Sequence, residues 1–245
     1  KAIETGDYRI GDILSEEQIE TVNLAQRDWS INSEYDIQAM TSDNTGNVYY
    51  CQGITNRLKK ISLEGDEIWV NSSTIFGDAS SIVVDNLGAT YLTTTSGYLY
   101  KFDESGDKIW TKKVANSLNT VEIYKDVVYT AGSDYSLYKF NSLNGTEIGS
   151  ITGYTSYISH IKIDDMGNLY VGDVGGRIIK GDINNKGSTI FRNEGTRVRD
   201  ISIDENGYYI AFGDSSLNES IIIKLSNSYD EKWRKILEGS ICSLD

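Results

Sequence analysis

The segment Leu99-Tyr100-Lys101-Phe102-Asp103-Glu104-Ser105-Gly106-Asp107-Lys108-Ile109-Trp110 is one copy of a pattern that recurs along the chain. Tyr98 to Phe102 alternates as a half-buried strand does, and Asp103 to Asp107 is rich in turn formers. Lys108-Ile109-Trp110 then opens another strand. The lysine repeats as Lys60, Lys101, Lys139, Lys180 and Lys224, at spacings of 41, 38, 41 and 44. A tryptophan follows nine residues later at Trp69, Trp110 and Trp233, whereas Gly149 and Thr189 or Ile190 stand there in the middle repeats. A third column holds turns: Asp43-Asn44-Thr45-Gly46, Asp85-Asn86-Leu87-Gly88, Asp164-Asp165-Met166-Gly167 and Asp204-Glu205-Asn206-Gly207. Three columns in one phase define a structural repeat.

Each period accommodates four short strands. In the second repeat they are predicted at about 79–85, 89–95, 98–103 and 108–113, joined by Gly, Asp and Ser turns of hairpin type. Four antiparallel strands in about 40 residues make a β-propeller blade; a sandwich would not produce the period. The predicted fold is an all-β propeller in a single domain spanning 1–245, with blades at about 36–72, 79–113, 119–152, 158–193 and 198–237. The ends add a sixth. Ser243-Leu244-Asp245 aligns with Ser202-Ile203-Asp204, and Gly6 to Asp12 aligns with Gly167 to Asp173. A split blade from 6–32, with Trp29, plus 241–245 would close the ring and remove exposed sheet edges. Ser15-Glu16-Glu17-Gln18 also reads as a helix start, in which case residues 1–25 are an anchor and more blades are expected after Asp245.

Composition narrows the function. The 245 residues hold 36 acidic and 23 basic side chains, a net charge of −13. That balance argues against nucleic-acid backbones and anionic membrane surfaces as partners. No apolar run approaches the roughly 20 residues of a membrane span. Lys1 to Leu14 lacks the apolar core of a signal peptide, and the chain opens on lysine rather than methionine, as a trimmed piece would. Two cysteines, Cys51 and Cys242, make neither a disulfide framework nor a metal cluster, and the single His160 cannot build a histidine metal site or a conventional triad. Proline is absent, so Gly, Asn, Asp and Ser must make the turns.

The segment Leu99 to Trp110, with further copies at Lys60 to Trp69 and Leu137 to Ile148, resembles the repeat of quinoprotein-like (PQQ-type) propellers. That resemblance covers most of the chain and implies that Trp29, Trp69, Trp110 and Trp233 dock between blades, with looser packing around 149 and 190. The family's redox enzymes are longer and carry an adjacent cysteine pair that is missing here, so no quinone, metal or other cofactor is carried over. The chain is also similar in style to WD40-like and quinoprotein-like repeat proteins of bacteriophages and prophages of low-GC Gram-positive bacteria. This implies a virion location, in a tail or baseplate, as a non-enzymatic structural module that binds other proteins of the assembly or a host surface glycan. The alternatives are a secreted or cell-surface carbohydrate-binding propeller, and an enzyme with an axial active site.

No catalytic and no metal-binding residue is singled out. The Asp-x-x-Gly turns suit calcium chemically, but Asp capping its own turn with Gly at positive φ accounts for them. His160, in the alternating run Ile158 to Ile163, reads as a hydrogen-bonded strand residue, and the cysteines read as small buried hydrophobes. The binding candidates come from a family rule that the loops between blades share a face with the turns between second and third strands. It brings Tyr35, Phe76, Tyr154, Tyr157 and Arg197 together with Arg57, Tyr98, Tyr135 and Arg177. Tyr and Arg are enriched at binding hot spots.

Overall fold

Among the described residues the alternating runs form twenty strands in five groups of four. The computed structural model describes residues 35–53, 56–71, 73–214, 219–239, 241 and 244. Blade I holds β1 (Ile37–Ser42), β2 (Val48–Gln52), β3 (Arg57–Ile61) and β4 (Glu67–Val70). Blade II holds β5 (Ala79–Val84), β6 (Thr90–Thr94), β7 (Tyr98–Phe102) and β8 (Lys108–Lys113). Blade III holds β9 (Leu118–Tyr124), β10 (Val127–Gly132), β11 (Leu137–Asn141) and β12 (Glu147–Ile151). Blade IV holds β13 (Ile158–Ile163), β14 (Asn168–Asp173), β15 (Arg177–Asp182) and β16 (Ser188–Arg192). Blade V holds β17 (Arg197–Asp204), β18 (Gly207–Asp214), β19 (Glu219–Leu225) and β20 (Glu231–Glu238). Every blade is an antiparallel meander in sequence order.

The first strands form the inner wall, β1 against β5, β5 against β9, β9 against β13 and β13 against β17. This is a β-propeller, with five blades among the described residues rather than the six expected. The halves assigned to a sixth blade, 6–32 with Trp29 and 241–245, lie outside the described residues except for Ile241 and Leu244. Leu244 is buried, and its N–H donates to Asp200 Oδ2 at 2.6 Å. The same link joins successive inner strands elsewhere: Val121 N–H to Ser81 Oγ at 3.3 Å and Ile161 N–H to Thr120 Oγ1 at 3.2 Å.

The repeat columns hold the blades together. Each column lysine lies opposite a tyrosine in the strand before it: Tyr49 and Lys60, Tyr91 and Lys101, Tyr129 and Lys139, Tyr170 and Lys180, Tyr209 and Lys224. In four pairs the ammonium sits over the ring, from 5.4 Å for Lys180 to 3.5 Å for Lys224. The turn aspartates complete the network: Tyr49, Tyr91 and Tyr170 donate their hydroxyls to Asp43, Asp85 and Asp164. Asp43 Oδ1 also accepts from the N–H groups of Thr45 and Asn47 while Gly46 takes φ 86°, so these carboxylates cap their own turns. Burial alone would raise the Asp43 carboxyl, but hydrogen bonds from Asn47 and Thr45 outweigh it and hold it well below the carboxylate range.

Tryptophans join one blade to the next. Trp69 donates Nε1–H to Glu104 O at 2.9 Å, and a Cβ on Gly106 would come within 2.7 Å of its ring. Trp110 repeats this on Ser142 O and Gly145. Where the tryptophan is missing, and looser packing was expected, the following blade fills the place. Lys139 reaches Ile183 O, with Ile183 packed on the blade III–IV core. Lys180 donates to Tyr229 OH at 2.8 Å, and the Tyr229 ring meets Tyr208 at 5.3 Å. Tyr229 holds the turn position that belongs to Gly106 and Gly145 in other blades, at φ 67°.

Each inner strand carries a β-bulge at one column, formed by Gln38, Ser80, Asn119, Ser159 and Arg199. It lies close to the blade-joining loops.

Candidate binding face

Backbone hydrogen bonds draw two sets of loops into one face. The N–H groups of Gly53, Thr95, Ser133 and Val174, in the second-to-third strand turns, donate to the carbonyls of Asp36, Asp78, Ser117 and Tyr157, just ahead of the inner strands. Val114 and Asn193 return bonds to the carbonyls of Gly97 and Gly176. All nine candidate positions lie on this loop face, but they differ in what they offer to a partner.

Phe76 is 58% exposed and packs on Tyr98 with ring centroids 5.7 Å apart. The Lys113 ammonium sits 5.0 Å from the Tyr98 ring. Arg57 is exposed at the start of β3, and Tyr35 is half-buried. Arg177 is engaged: Nε and one terminal nitrogen both reach Asp173 Oδ2 at 2.7 Å, and another donates to Thr155 at 2.8 Å. Tyr154 is a correction to the expected surface residue. It is only 5% exposed, within the blade III–IV core, and burial raises its phenol. The candidate therefore points inward, although its OH has no partner in the protein.

Tyr135 and Tyr157 form the most exposed tyrosine pair. Both residues are 44% exposed, with ring centroids 5.1 Å apart and planes tilted by 39°. A hydrogen bond with Tyr157 raises the Tyr135 phenol above its ordinary value. Tyr135 has φ 62° in the β10–β11 turn, where the equivalent turns use Gly97 and Gly176, both at φ 74°. A left-handed backbone costs a side-chain-bearing residue about 1–2 kcal/mol. The chain accepts that cost and leaves the ring on the surface.

Six buried side-chain polar atoms among the described residues have no hydrogen-bond partner in the protein: Asn56 Oδ1, Thr90 Oγ1, Asp134 Oδ1, Tyr154 OH, Arg197 Nε and Arg199 Nε. All but Thr90 belong to the loop face or the inner-strand segment directly beneath it. Unsatisfied buried polar groups are costly and few in folded proteins, so their concentration at one end of the propeller calls for an explanation. Sequence reading named Arg197 and Tyr154 but missed Asn56, Asp134 and Arg199. The first two stand beside named turn residues, Arg57 and Tyr135; Arg199 is aligned with polar bulge residues and had no separate signal.

The groups with intrinsic chemical reactivity are buried or paired. His160 Nε2 lies 2.9 Å from Asp200 Oδ1, across the blade IV–V junction. Desolvation, helped by the charge of Asp78, pushes the buried Cys51 thiol up to about 12. Burial raises the Glu122 carboxyl against the opposing pull of Lys162, whose ammonium is 3.8 Å away. Among the described residues no three His, Cys, Asp or Glu side chains converge as a metal site would require, and no helix is long and apolar enough to cross a membrane.

A scan against protein-family models finds no match for the chain, and a search of curated proteins finds none either. The shared ground with quinoprotein-like and WD40-like repeats is therefore the propeller architecture of four-stranded antiparallel blades.

Proposed function

We propose that the chain is a non-enzymatic binding module whose contact surface is the loop face of blades III to V. The observation that carries this is the gathering there of four unpartnered buried polar atoms, on Asp134, Tyr154, Arg197 and Arg199, beside an exposed tyrosine pair held at a backbone cost. Such groups are satisfied when a partner supplies their hydrogen bonds, and rigid aromatics lose little entropy on contact. The burial of Cys51 and the pairing of His160 with Asp200 and of Glu122 with Lys162 support binding over catalysis. The chain's similarity in style to phage and prophage repeat proteins favours a role in a tail or baseplate, where the face would meet another virion protein or the host surface. A second reading, carbohydrate binding at a cell surface, is favoured by the Tyr135–Tyr157 pair, whose open ring surface suits stacking on a sugar.

The same reading includes a closed ring of six blades. Leu244 repeats at Asp200 the inner-strand link made by Val121 and Ile161, which supports 241–245 as the start of another inner strand. The segment 6–32 would supply the remaining strands.

Retention of the purified chain on assembled particles and on intact host cells tests the face. Wild type is expected to be retained on one of them, and Tyr135→Gly with Tyr157→Ala to be retained at least about tenfold less, the scale of losing two hot-spot aromatics. Equal retention of the double variant would overturn the assignment.

A further inference from the structure

Arg197 and Arg199 stand two residues apart where β17 enters the inner wall. Among the described residues neither has an ion pair, although the chain holds 36 acidic side chains. Arg177, Arg192 and Arg234 behave differently, each holding Asp173, Glu194 or Glu231. In Arg197 and Arg199 the Nε is buried without a partner, while each residue keeps part of its surface open to solvent. Burial, and then the charge of Arg199, lower the pKa of Arg197, so two like charges share a partly dry place.

The repeat shows what is unusual here. At the bulge column, Gln38 accepts from Ala79 N–H and Asn119 donates to Ile158 O, tying one blade to the next. Ser80 and Ser159 bond within their own blades. Arg199 does neither; its side chain runs over Gly213, where a Cβ would meet Nε at 2.5 Å. One blade before Arg197, the same place ahead of the inner strand is held by Tyr157, which meets Tyr135 from the neighbouring turn. The turn neighbouring Arg197 is Gly175-Gly176, which offers no ring, and a Cβ on Gly175 would meet nothing closer than Asp173 Oδ1 at 3.3 Å. Of that turn only Gly175 leaves room; a Cβ on Gly176 would meet Asn193 O at 1.9 Å.

We propose that Arg197 and Arg199 bind an oxyanion, a carboxylate, sulfate or phosphate group carried by the ligand of the loop face. The proposal rests on the binding role of that face and names the charge its ligand brings. Guanidinium groups suit oxyanions because their fixed donor fork matches two oxygens at once, and an anion would also relieve the repulsion between the two cations. The tyrosine pair one blade away suits an acid group borne on a sugar ring.

Thermal unfolding of the full chain, titrated with sodium sulfate, phosphate or glucuronate against glucose and sodium chloride at matched ionic strength, tests this. Arg199→Gln restores the residue type of the first blade's bulge, and Arg197→Gln is the second variant. A saturable rise in the wild-type midpoint with an oxyanion is expected, with apparent affinity falling at least about tenfold in either variant. Glucuronate acting alone identifies an acidic saccharide; sulfate and phosphate acting as well identify a general oxyanion site, and both outcomes support the proposal. Without ligand, Arg199→Gln should unfold no earlier than wild type, because it removes an unpaired buried charge. Equal shifts in wild type and variants mark a general salt effect and overturn the proposal, as does the absence of any shift. A variant that fails to fold also overturns it, since that assigns the arginine to structure. Loss of retention in the tyrosine double variant alongside no oxyanion effect would leave the face standing and remove only the anion.

Discussion

Tyr135 and Tyr229 share a left-handed backbone, at φ 62° and 67°, and opposite roles follow from their surroundings. Tyr229 is a wedge: it accepts from Lys180, packs on Tyr208 and sits against the blade IV–V core. Replacing it with glycine removes a hydrogen bond worth about 1 kcal/mol and a ring pair worth about 0.5–1.5 kcal/mol. It also loses about 1–2 kcal/mol of partial burial and about 0.5–1 kcal/mol of glycine entropy, while relief of the left-handed backbone returns about 1–2 kcal/mol. The net is a loss of about 1–4 kcal/mol, or roughly 3–15 °C in midpoint for a chain of this size. For Tyr135→Gly the same backbone relief is set against the ring pair with Tyr157 and about 0.5–1 kcal/mol of glycine entropy. With Tyr135 already 44% exposed, the net lies within about 1 kcal/mol of zero. Urea and thermal unfolding of both variants beside wild type measure the difference. A loss in Tyr135→Gly as large as that in Tyr229→Gly would refute the reasoning, because it would make Tyr135 part of the scaffold instead of a surface offered to a partner.

Other outcomes follow from the same geometry. Gly106→Ala should cost about 2–4 kcal/mol and change tryptophan fluorescence, because the new methyl meets the Trp69 ring at 2.7 Å on a left-handed backbone. Gly153→Ala, where nothing lies within 4 Å, should cost only the backbone part, about 1 kcal/mol by urea unfolding. In a Cys242→Ala background, Cys51 should resist thiol reagents at pH 8 in the folded chain and react on unfolding; rapid native labelling would contradict its burial and raised pKa. Burial raises the Glu122 carboxyl above its ordinary 4.5, so the folded state favours its protonated form. That contribution is fully present below pH 4.5 and is lost as pH rises through the folded-state value. Glu122→Gln should therefore gain on wild type in midpoint between pH 4 and pH 7; a pH-independent difference would count against it.

The architecture was legible because a propeller repeats its chemistry in sequence. Lys60, Lys101, Lys139, Lys180 and Lys224 announce the period since each must meet a tyrosine across one strand pair, and the register that sets this is local. Contacts between blades were harder to read. The missing tryptophans suggested looseness, yet Ile183 and Tyr229 fill those places from the following blade, and only Tyr229's replacement of the turn glycine gave any sign of it. His160 was readable as a strand residue from its alternating neighbours, but its partner Asp200 stands one blade away. The loop face was read from a rule about which loops meet, and that rule fixes the face without fixing side-chain direction. Tyr154 and Tyr157, three residues apart in one loop, turn respectively into the core and out to solvent. Arg199 was silent because a bulge breaks the alternation from which burial is inferred.

Electron cryomicroscopy of assembled particles carrying the chain tests the binding face most directly. A module that binds through the loops of blades III to V will show a ring of blades with Tyr135, Tyr157 and Arg197 turned toward the neighbouring density. A ring attached by its opposite face, or one whose loop face meets only solvent in every bound copy, would contradict that assignment.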